Sequence, residues 1–299
     1  MSRVGKEANS FLKNIYKGVK MYQNKQVVIL PTVTFNTRTG LLSINATNLN
    51  DTVTINKVSS NVIVKIVGSY GTITRNFNYN LIKNIVFSGL LGDDRFTNNT
   101  DKPCVINGNA GNDILTGGSG NDIISGGLGN DTINGGGGND TIYGNLSSTS
   151  MFVVSSSDKD TINGGSGNDT IYGNSDTDTI NGNDGNDIIY GGSENDTING
   201  GNDNDTIYGD SGNDDINGNN GNDDLNGGSG NDTLDGGSGN DDVSGDDGND
   251  DISGGTGDDI LHGGNGNDDE FDPDGGDSLD DNNESDDGNN DNEDENEDD

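Results

Sequence analysis

GGSGNDTIY, GNSDTDTIN, GNDGNDIIY, GGSENDTIN, GGNDNDTIY and GDSGNDDIN follow one another without a gap from residue 164 to residue 217. The same register continues to Phe271, twelve nonapeptides in all. Four more run from Gly108 to Tyr143: GNAGNDILT, GGSGNDIIS, GGLGNDTIN and GGGGNDTIY. The shared pattern is G-G-x-G-N-D-x-U-x, with U apolar. A short fixed period decides the architecture first, because a repeat this small can bury its apolar residue only by stacking on its neighbours. The ninth position carries a second period: Tyr172, Asn181, Tyr190, Asn199, Tyr208 and Asn217 alternate. Tyrosine thus recurs every 18 residues. That spacing is expected if two repeats make one turn of a parallel solenoid and equivalent side chains stack ~4.8 Å apart.

Between the two blocks lies GNLSSTSMFVVSSSDKDTIN, 144–163. It reads as one degenerate turn two residues longer than normal, with Met151 and Ile162 at successive apolar positions and Phe152 at the foot of the tyrosine column. Each regular repeat divides into a turn, GGxGND, and a short strand, xUx. The U positions, from Leu115, Ile124, Ile133 and Ile142 to Leu261, supply the core. One such residue contributes roughly 1.5–3 kcal/mol when buried, whereas ordering a nonapeptide costs about 1 kcal/mol or more per residue. Stacked aspartates in water repel by a further ~0.9 kcal/mol per neighbouring pair. Burial alone therefore cannot hold the stack. Glycines that let carbonyl oxygens approach, combined with a carboxylate in every turn, match the all-oxygen shell of a hard cation.

These repeats resemble those of the repeats-in-toxin (RTX), or hemolysin-type, calcium-binding family, across roughly residues 89–271. The resemblance implies an all-β, right-handed parallel β-roll with Ca2+ held between the turn of one repeat and that of the next but one. The ligands it implies are the position-6 carboxylates Asp113, Asp122, Asp131, Asp140, Asp169, Asp178, Asp187, Asp196, Asp205, Asp214, Asp223, Asp232, Asp241, Asp250, Asp259 and Asp268. It adds turn carbonyls at Gly108, Gly111, Gly117, Gly120, Gly126, Gly129, Gly135, Gly138, Gly164, Gly167, Gly182, Gly185, Gly227, Gly230, Gly236 and Gly239. With no ion spanning 144–163, four repeats give two sites and twelve give ten, about twelve ions in total. Folding and metal binding are then one event. Three repeats depart from the pattern at position 4, where Asp176, Glu194 and Asp203 put a Cβ on a turn built for glycine. Glu270 at a U position marks the expected end of the roll.

Outside the roll, residues 26–107 show alternating apolar runs separated by turn residues, a β-rich cap leading into the stack. Two pieces of it echo the repeat: Leu49–Val53 and Gly89–Thr97. Residues 1–25 are basic, and Leu12, Ile15, Tyr16 and Val19 at helical spacing predict a helix capping the open end of the stack, or one lying on a membrane surface. Residues 272–299 have no period and almost nothing apolar, which predicts a disordered acidic tail.

The formal net charge is −39, and no Lys or Arg follows Lys159. The C-terminal half would repel phosphates, so a nucleic-acid partner is excluded. No apolar run approaches the length of a transmembrane helix, and the basic N-terminus lacks the apolar core of a signal peptide. Cys104 is the single cysteine, so no internal disulfide framework forms. His262 is the single histidine and lies inside a repeat, so neither a His-based zinc motif nor a serine triad can be assembled. The chain reads as a non-enzyme: a secreted or cell-surface, calcium-stabilised structural or adhesive module, meeting a cell surface, glycan or matrix component. A folding handle for export and an ice- or surface-binding ladder are the alternatives. The first is weakened by a tail with Leu279 as its one large apolar residue, the second by a third position that is Thr only at Thr256.

Overall fold

A computed structural model describes residues 19–21, 27–145, 159–271 and 278–279. The described residues are all β apart from one 3-10 turn, Tyr79–Leu81. Two sheets of 13 strands each carry the molecule, and successive strands of the roll alternate between them. Each strand pairs in parallel with the strand 18 residues on, as Thr170–Ser175 does with Ile188–Ser193, placing Ile171 against Ile189 and Tyr172 against Tyr190. Two nonapeptides therefore make one turn, as the tyrosine period predicts. Side chains alternate across a strand, so position 8 points inward and positions 7 and 9 outward. The inward column, Leu115 through Leu261, is 0–1% exposed.

The strands are longer than the expected xUx. They run from position 7 to position 3, six residues in most repeats, and the turn shrinks to positions 4–6. The glycines at positions 1 and 2 stay in the ladder because their backbone groups would otherwise be buried without partners.

The interruption is not a degenerate turn. Thr141–Asn145 pairs directly with Thr170–Ser175, with Tyr143 opposite Tyr172, and Thr132–Gly137 pairs directly with Thr161–Ser166. Neighbouring rungs are separated by 29 residues here and by 18 elsewhere in the repeat blocks. Eleven residues have therefore been inserted inside one turn, between Asn145 and Lys159, and the stack closes across them. Tyr143 is the neighbour of Tyr172; Met151 and Phe152 lie outside the described residues.

The β-rich cap turns out to be the first rungs of the same solenoid. Leu41–Asn45 pairs in parallel with Asn84–Leu91, and Thr52–Val58 with Arg95–Asn99. Antiparallel strands then close both sheets at this end: Thr32–Asn36 on one, Asn61–Gly68 and Gly71–Asn78 on the other. The cap core is dense, with Leu42, Ile44, Val53, Ile55, Val62, Val64, Ile66, Ile82, Ile85, Phe87 and Phe96 all at most 1% exposed. Phe87 and Phe96 stack across it at 4.5 Å.

At the N-terminal end one expectation needs correction. Val19–Met21, the end of the expected helix, is a strand antiparallel to Val27–Ile29, where a β-branched run offers it a ladder; residues 1–18 lie outside the described residues. Within the expected tail one short pairing is described. Glu270 occupies its inward position half-buried, and Ser278–Leu279 pairs with Ile260–Leu261, so Leu279 takes the apolar position of a further rung. The other residues of 272–299 lie outside the described ones.

Candidate metal centre

The turns form two columns, one at each edge where the chain crosses between sheets. The position-6 aspartates line both. Asp113 through Asp259 are 1–3% exposed, as buried as the core beside them; Asp268, in the last turn, is half-buried. One carboxylate oxygen of each has a structural task. Asp178 Oδ1 accepts the Asp160 N–H, Asp196 Oδ1 the Asp178 N–H, and so on to the end of the column, at 2.7–2.9 Å. Asp122, Asp140, Asp169, Asp187 and Asp205 repeat the pattern in the other column. Position 5 runs a ladder in the opposite direction: Asn186 Oδ1 accepts the Asn204 N–H, and Asn204 Oδ1 accepts the Asn222 N–H. The asparagine that precedes most of these aspartates is thereby explained as an inter-turn tie.

The other carboxylate oxygen is different. Oδ2 of Asp113, Asp122, Asp140, Asp169, Asp178, Asp187, Asp196, Asp205, Asp214, Asp223, Asp232, Asp241 and Asp250 is buried with no hydrogen-bond partner. An isolated buried carboxylate oxygen costs several kcal/mol unless something positive meets it. Each faces the missing side chain of its position-1 glycine. A Cβ on Gly182 would lie 2.3 Å from Asp187 Oδ2 and 2.5 Å from the Gly200 carbonyl oxygen of the next rung. The same holds at Gly108, Gly117, Gly126, Gly135, Gly227 and Gly236, where the facing oxygen is that of Asp113, Asp122, Asp131, Asp140, Asp232 and Asp241. At Gly164 the facing oxygen is that of Asp169, at 2.6 Å. The result is a small void per turn, walled by one carboxylate oxygen and by carbonyl oxygens of two rungs.

Position 4 brings the turns together. Gly111, Gly129, Gly138, Gly167, Gly185, Gly230 and Gly239 have φ between +102° and +144°, and a Cβ on Gly185 would lie 2.3 Å from the Gly167 carbonyl oxygen. Gly120 shares the position, and a Cβ there would meet Pro103 N at 2.9 Å. Asp176, Glu194 and Asp203 adopt φ +75°, the left-handed well that an L-residue can enter.

Among the described residues no three His, Cys, Asp or Glu side chains converge on one point. A metal here would be held by one carboxylate per turn plus backbone oxygens, with neither nitrogen nor sulfur. That donor set fits a hard cation of high coordination number, Ca2+ before Zn2+. Burial pushes Asp122 up to about 7, Asp140 up to about 8 and Asp178 up to about 9, with neighbouring carboxylates adding to Asp140 and Asp178 and the accepted backbone N–H opposing. Proton and cation therefore compete for the same oxygens.

Three members of the columns escaped the sequence reading as site residues. Asp160 follows the insertion and is 2% exposed; a Cβ on Gly144 would meet its Oδ2 at 2.6 Å. Asp94, in the worn repeat 89–97, is also 2% exposed, and its Oδ2 is buried without a partner. Asp51 sits one rung earlier and donates its N–H to Asp94 Oδ1. The available signal for all three was the local motif of an Asp two residues before an apolar residue, as in Asp51–Val53, Asp94–Phe96 and Asp160–Ile162.

On the outer face of one sheet Tyr143, Tyr172, Tyr190 and Tyr208 stack with ring centroids 4.9–5.1 Å apart and planes within 10°. The equivalent column of the other sheet is Asn134, Asn163, Asn181, Asn199 and Asn217.

No curated protein matches the chain. A sequence model of the RTX calcium-binding nonapeptide repeat does match it, at 105–133, 116–147, 154–189, 181–216, 190–225, 217–252 and 244–269. These matches cover the columns of buried carboxylates from Asp113 to Asp268 and more than half of the chain, and the chain belongs to that calcium-binding RTX repeat family.

Proposed function

We propose that this protein is a calcium-folded rod that works outside the cell as a non-catalytic adhesive module, and that the tyrosine-bearing sheet face is its binding surface. The calcium part rests on the buried carboxylate oxygens, which at neutral pH call for a cation or a bound proton in the folded state. Extracellular calcium modules bind in the range of roughly 10⁻⁴–10⁻³ M, and these sites are assigned to that class. They would stay empty in cytosol. The single histidine, His262, lies in a repeat of the roll, 3.9 Å from the exposed Asp242 carboxylate.

The adhesive part is carried by one observation, the tyrosine stack. On a chain of charge −39, the column on one side of the rings is uncharged, Thr141, Thr170, Ile188 and Thr206, and the column on the other side carries Asn174 and Gly192 before its first carboxylate, Asp210. The strip ends where Asp224 follows Thr206. A polyanion repels acidic polymers and copies of itself, so the partner suited to this strip is an uncharged linear glycan lying along the rod. Its sugars would meet hydroxyls and ring edges at each rung. Changing Tyr172, Tyr190 and Tyr208 together to Ser tests this. In millimolar calcium the wild type should be retained on neutral insoluble polysaccharides and the triple variant released, with the β signal of both intact. Equal retention of the two would make the column purely structural, and no retention of the wild type would sink the adhesive reading.

A further inference from the structure

Both columns of turns stop at their N-terminal end, and each stops at side chains that take over the metal's role. In the first column the last member is Asp51. Its Oδ2 accepts the Thr47 N–H and the Thr47 hydroxyl, both at 2.7 Å, and its Oδ1 accepts the Tyr70 hydroxyl at 2.6 Å. Both oxygens are satisfied, in contrast to Asp94 one rung on. Position 1 of this turn is Ala46, 1% exposed, which carries a methyl group where its counterpart one rung on, Gly89, leaves the space before Asp94 open. In the second column Cys104 stands where Asp would, donating its N–H to Asp122 Oδ1 as an aspartate does. Asn98 replaces the position-1 glycine; its side-chain amide reaches the Cys104 sulfur at 3.1 Å and the Lys102 carbonyl at 3.2 Å. Thr100 donates its N–H and hydroxyl to Asn98 Oδ1. A void walled by oxygens has become a closed hydrogen-bond network in each case.

We infer that the metal array has a built-in start, with its first ions between Asp94 and Asp113 and between Asp122 and Asp140. The two plugged turns before it hold none, which makes residues 41–99 a template that folds without calcium. This rests on the calcium reading above. It adds a site at Asp94, outside the matched repeats, and a direction of assembly: a roll that docks on a preformed rung avoids the cost of nucleating its first loop.

The test uses the full-length chain. Hydrogen exchange in metal-free buffer should leave peptides within 41–99 protected while those within 105–271 exchange as coil, and calcium should protect the latter. Ion counting by native mass spectrometry should then show one calcium fewer in Asp94→Asn than in wild type, and an unchanged count in Asp51→Asn. Full exchange of 41–99 without calcium would overturn the inference, as would an unchanged count in Asp94→Asn or a lost ion in Asp51→Asn. A wild type that binds calcium and yet gives these results separates that failure from failure of the calcium reading, which a wild type binding no calcium would defeat together with this one. The exchange measurement needs no variant, so a poorly folding Asp94→Asn leaves the inference exposed to refutation.

Discussion

Residues 41–99 and residues 105–271 share one solenoid path, yet they are held together by different physics. The cap buries two aromatic rings and a run of β-branched residues on almost every strand, and its first column aspartate, Asp51, receives three donors from the chain itself; only Asp94, on its last rung, keeps an oxygen without a partner. The roll buries one aliphatic side chain per nonapeptide and, in most of them, a carboxylate oxygen beside it without a hydrogen-bond partner. The same backbone geometry can thus be stabilised by apolar burial or made conditional on a cation. What decides is whether position 1 carries a Cβ and whether a hydroxyl reaches position 6.

The comparison breaks most visibly on calcium removal. Metal binding and folding of the roll are coupled, so circular dichroism at neutral pH should show the β signal falling to the share expected for the cap when calcium is chelated, and returning on addition of millimolar calcium. An undiminished signal without metal would place the roll in the same class as the cap. Because the columns run unbroken past the insertion, from Asp131 to Asp160 and from Asp140 to Asp169, sites are expected there too. Fifteen neighbouring pairs of aspartates are tied between Asp94 and Asp250 and between Asp122 and Asp259. The saturating number of ions should therefore lie nearer fifteen than twelve.

Acidification comes next. Burial raises the folded-state value of Asp187 to about 7, Asp205 to about 8 and Asp214 to about 6, from an ordinary 3.8, with carboxylates of neighbouring turns adding and an accepted N–H opposing. In the absence of metal the folded roll binds protons that the unfolded chain has released, so its stability is fully present below about pH 4 and lost as pH rises through roughly 6 to 8. Metal-free protein should gain β signal on going from pH 7.5 to pH 4.5. Calcium must displace those protons, so its apparent affinity should fall over the same window. A metal-free signal that rises with pH would reverse the sign and refute the competition.

How much of this was legible in the sequence depends on which residues are asked. The nonapeptide period gave the rungs, the two-repeat turn and the position-6 columns, because every repeat meets the same neighbours. The insertion was misread for a definite reason: a nine-residue register cannot distinguish eleven inserted residues from one repeat with two extra. The discriminating signal was present at position 9, where Asn134, Tyr143, Asn163 and Tyr172 alternate without a break only if Asn163 follows Tyr143 directly. The plug at Asp51 was not legible. Tyr70 reaches it from an antiparallel excursion that no period marks, and Ala46 looks like any small residue until its methyl group is seen in place of a void. Leu279 was discounted as part of an acidic tail, although it lies 18 residues beyond Leu261, at the apolar position.

A single mid-column substitution should have a smaller effect, and one that differs between the two regions. Asp205→Asn keeps an oxygen for the Asp187 N–H but puts an amide where the second oxygen faces Gly200. In calcium it should cost about 2–4 kcal/mol of stability and weaken the ions on both sides of that turn; without metal at neutral pH it should be neutral or favourable, since it removes a buried charge. Asp51→Asn should instead destabilise the cap by about 1–3 kcal/mol with calcium or without. Thermal melts of both variants in both conditions check the contrast. Equal calcium dependence of the two would show that the Asp51 turn is a metal turn after all.

The smallest effect is expected at position 4, where the sequence suggested weakened sites. Glycine there sits at φ +121° in Gly185, a region closed to other residues, whereas Glu194 and Asp203 sit at +75°. The turn has relaxed into the left-handed well around the side chain rather than holding it in forbidden space. A residue in that well still costs roughly 1–2 kcal/mol relative to glycine, and glycine returns about 0.5–1 kcal/mol of that as extra freedom in the unfolded chain. Glu194→Gly should therefore stabilise the calcium-bound roll by no more than ~1 kcal/mol. It should leave the number of bound ions unchanged, because the position-6 oxygen of Asp196 and the glycine at 191 that faces it are untouched. The reverse change, Gly185→Ala, has no such latitude: its Cβ would stand 2.3 Å from the Gly167 carbonyl oxygen, so the turn must shift and the ions that share it should weaken. Calcium titration of the pair, followed by melting at saturation, decides between the two accounts. A loss of ions in Gly185→Ala alone supports relaxation of the turn, and a gain of ions in Glu194→Gly would show that the acidic turns had been empty.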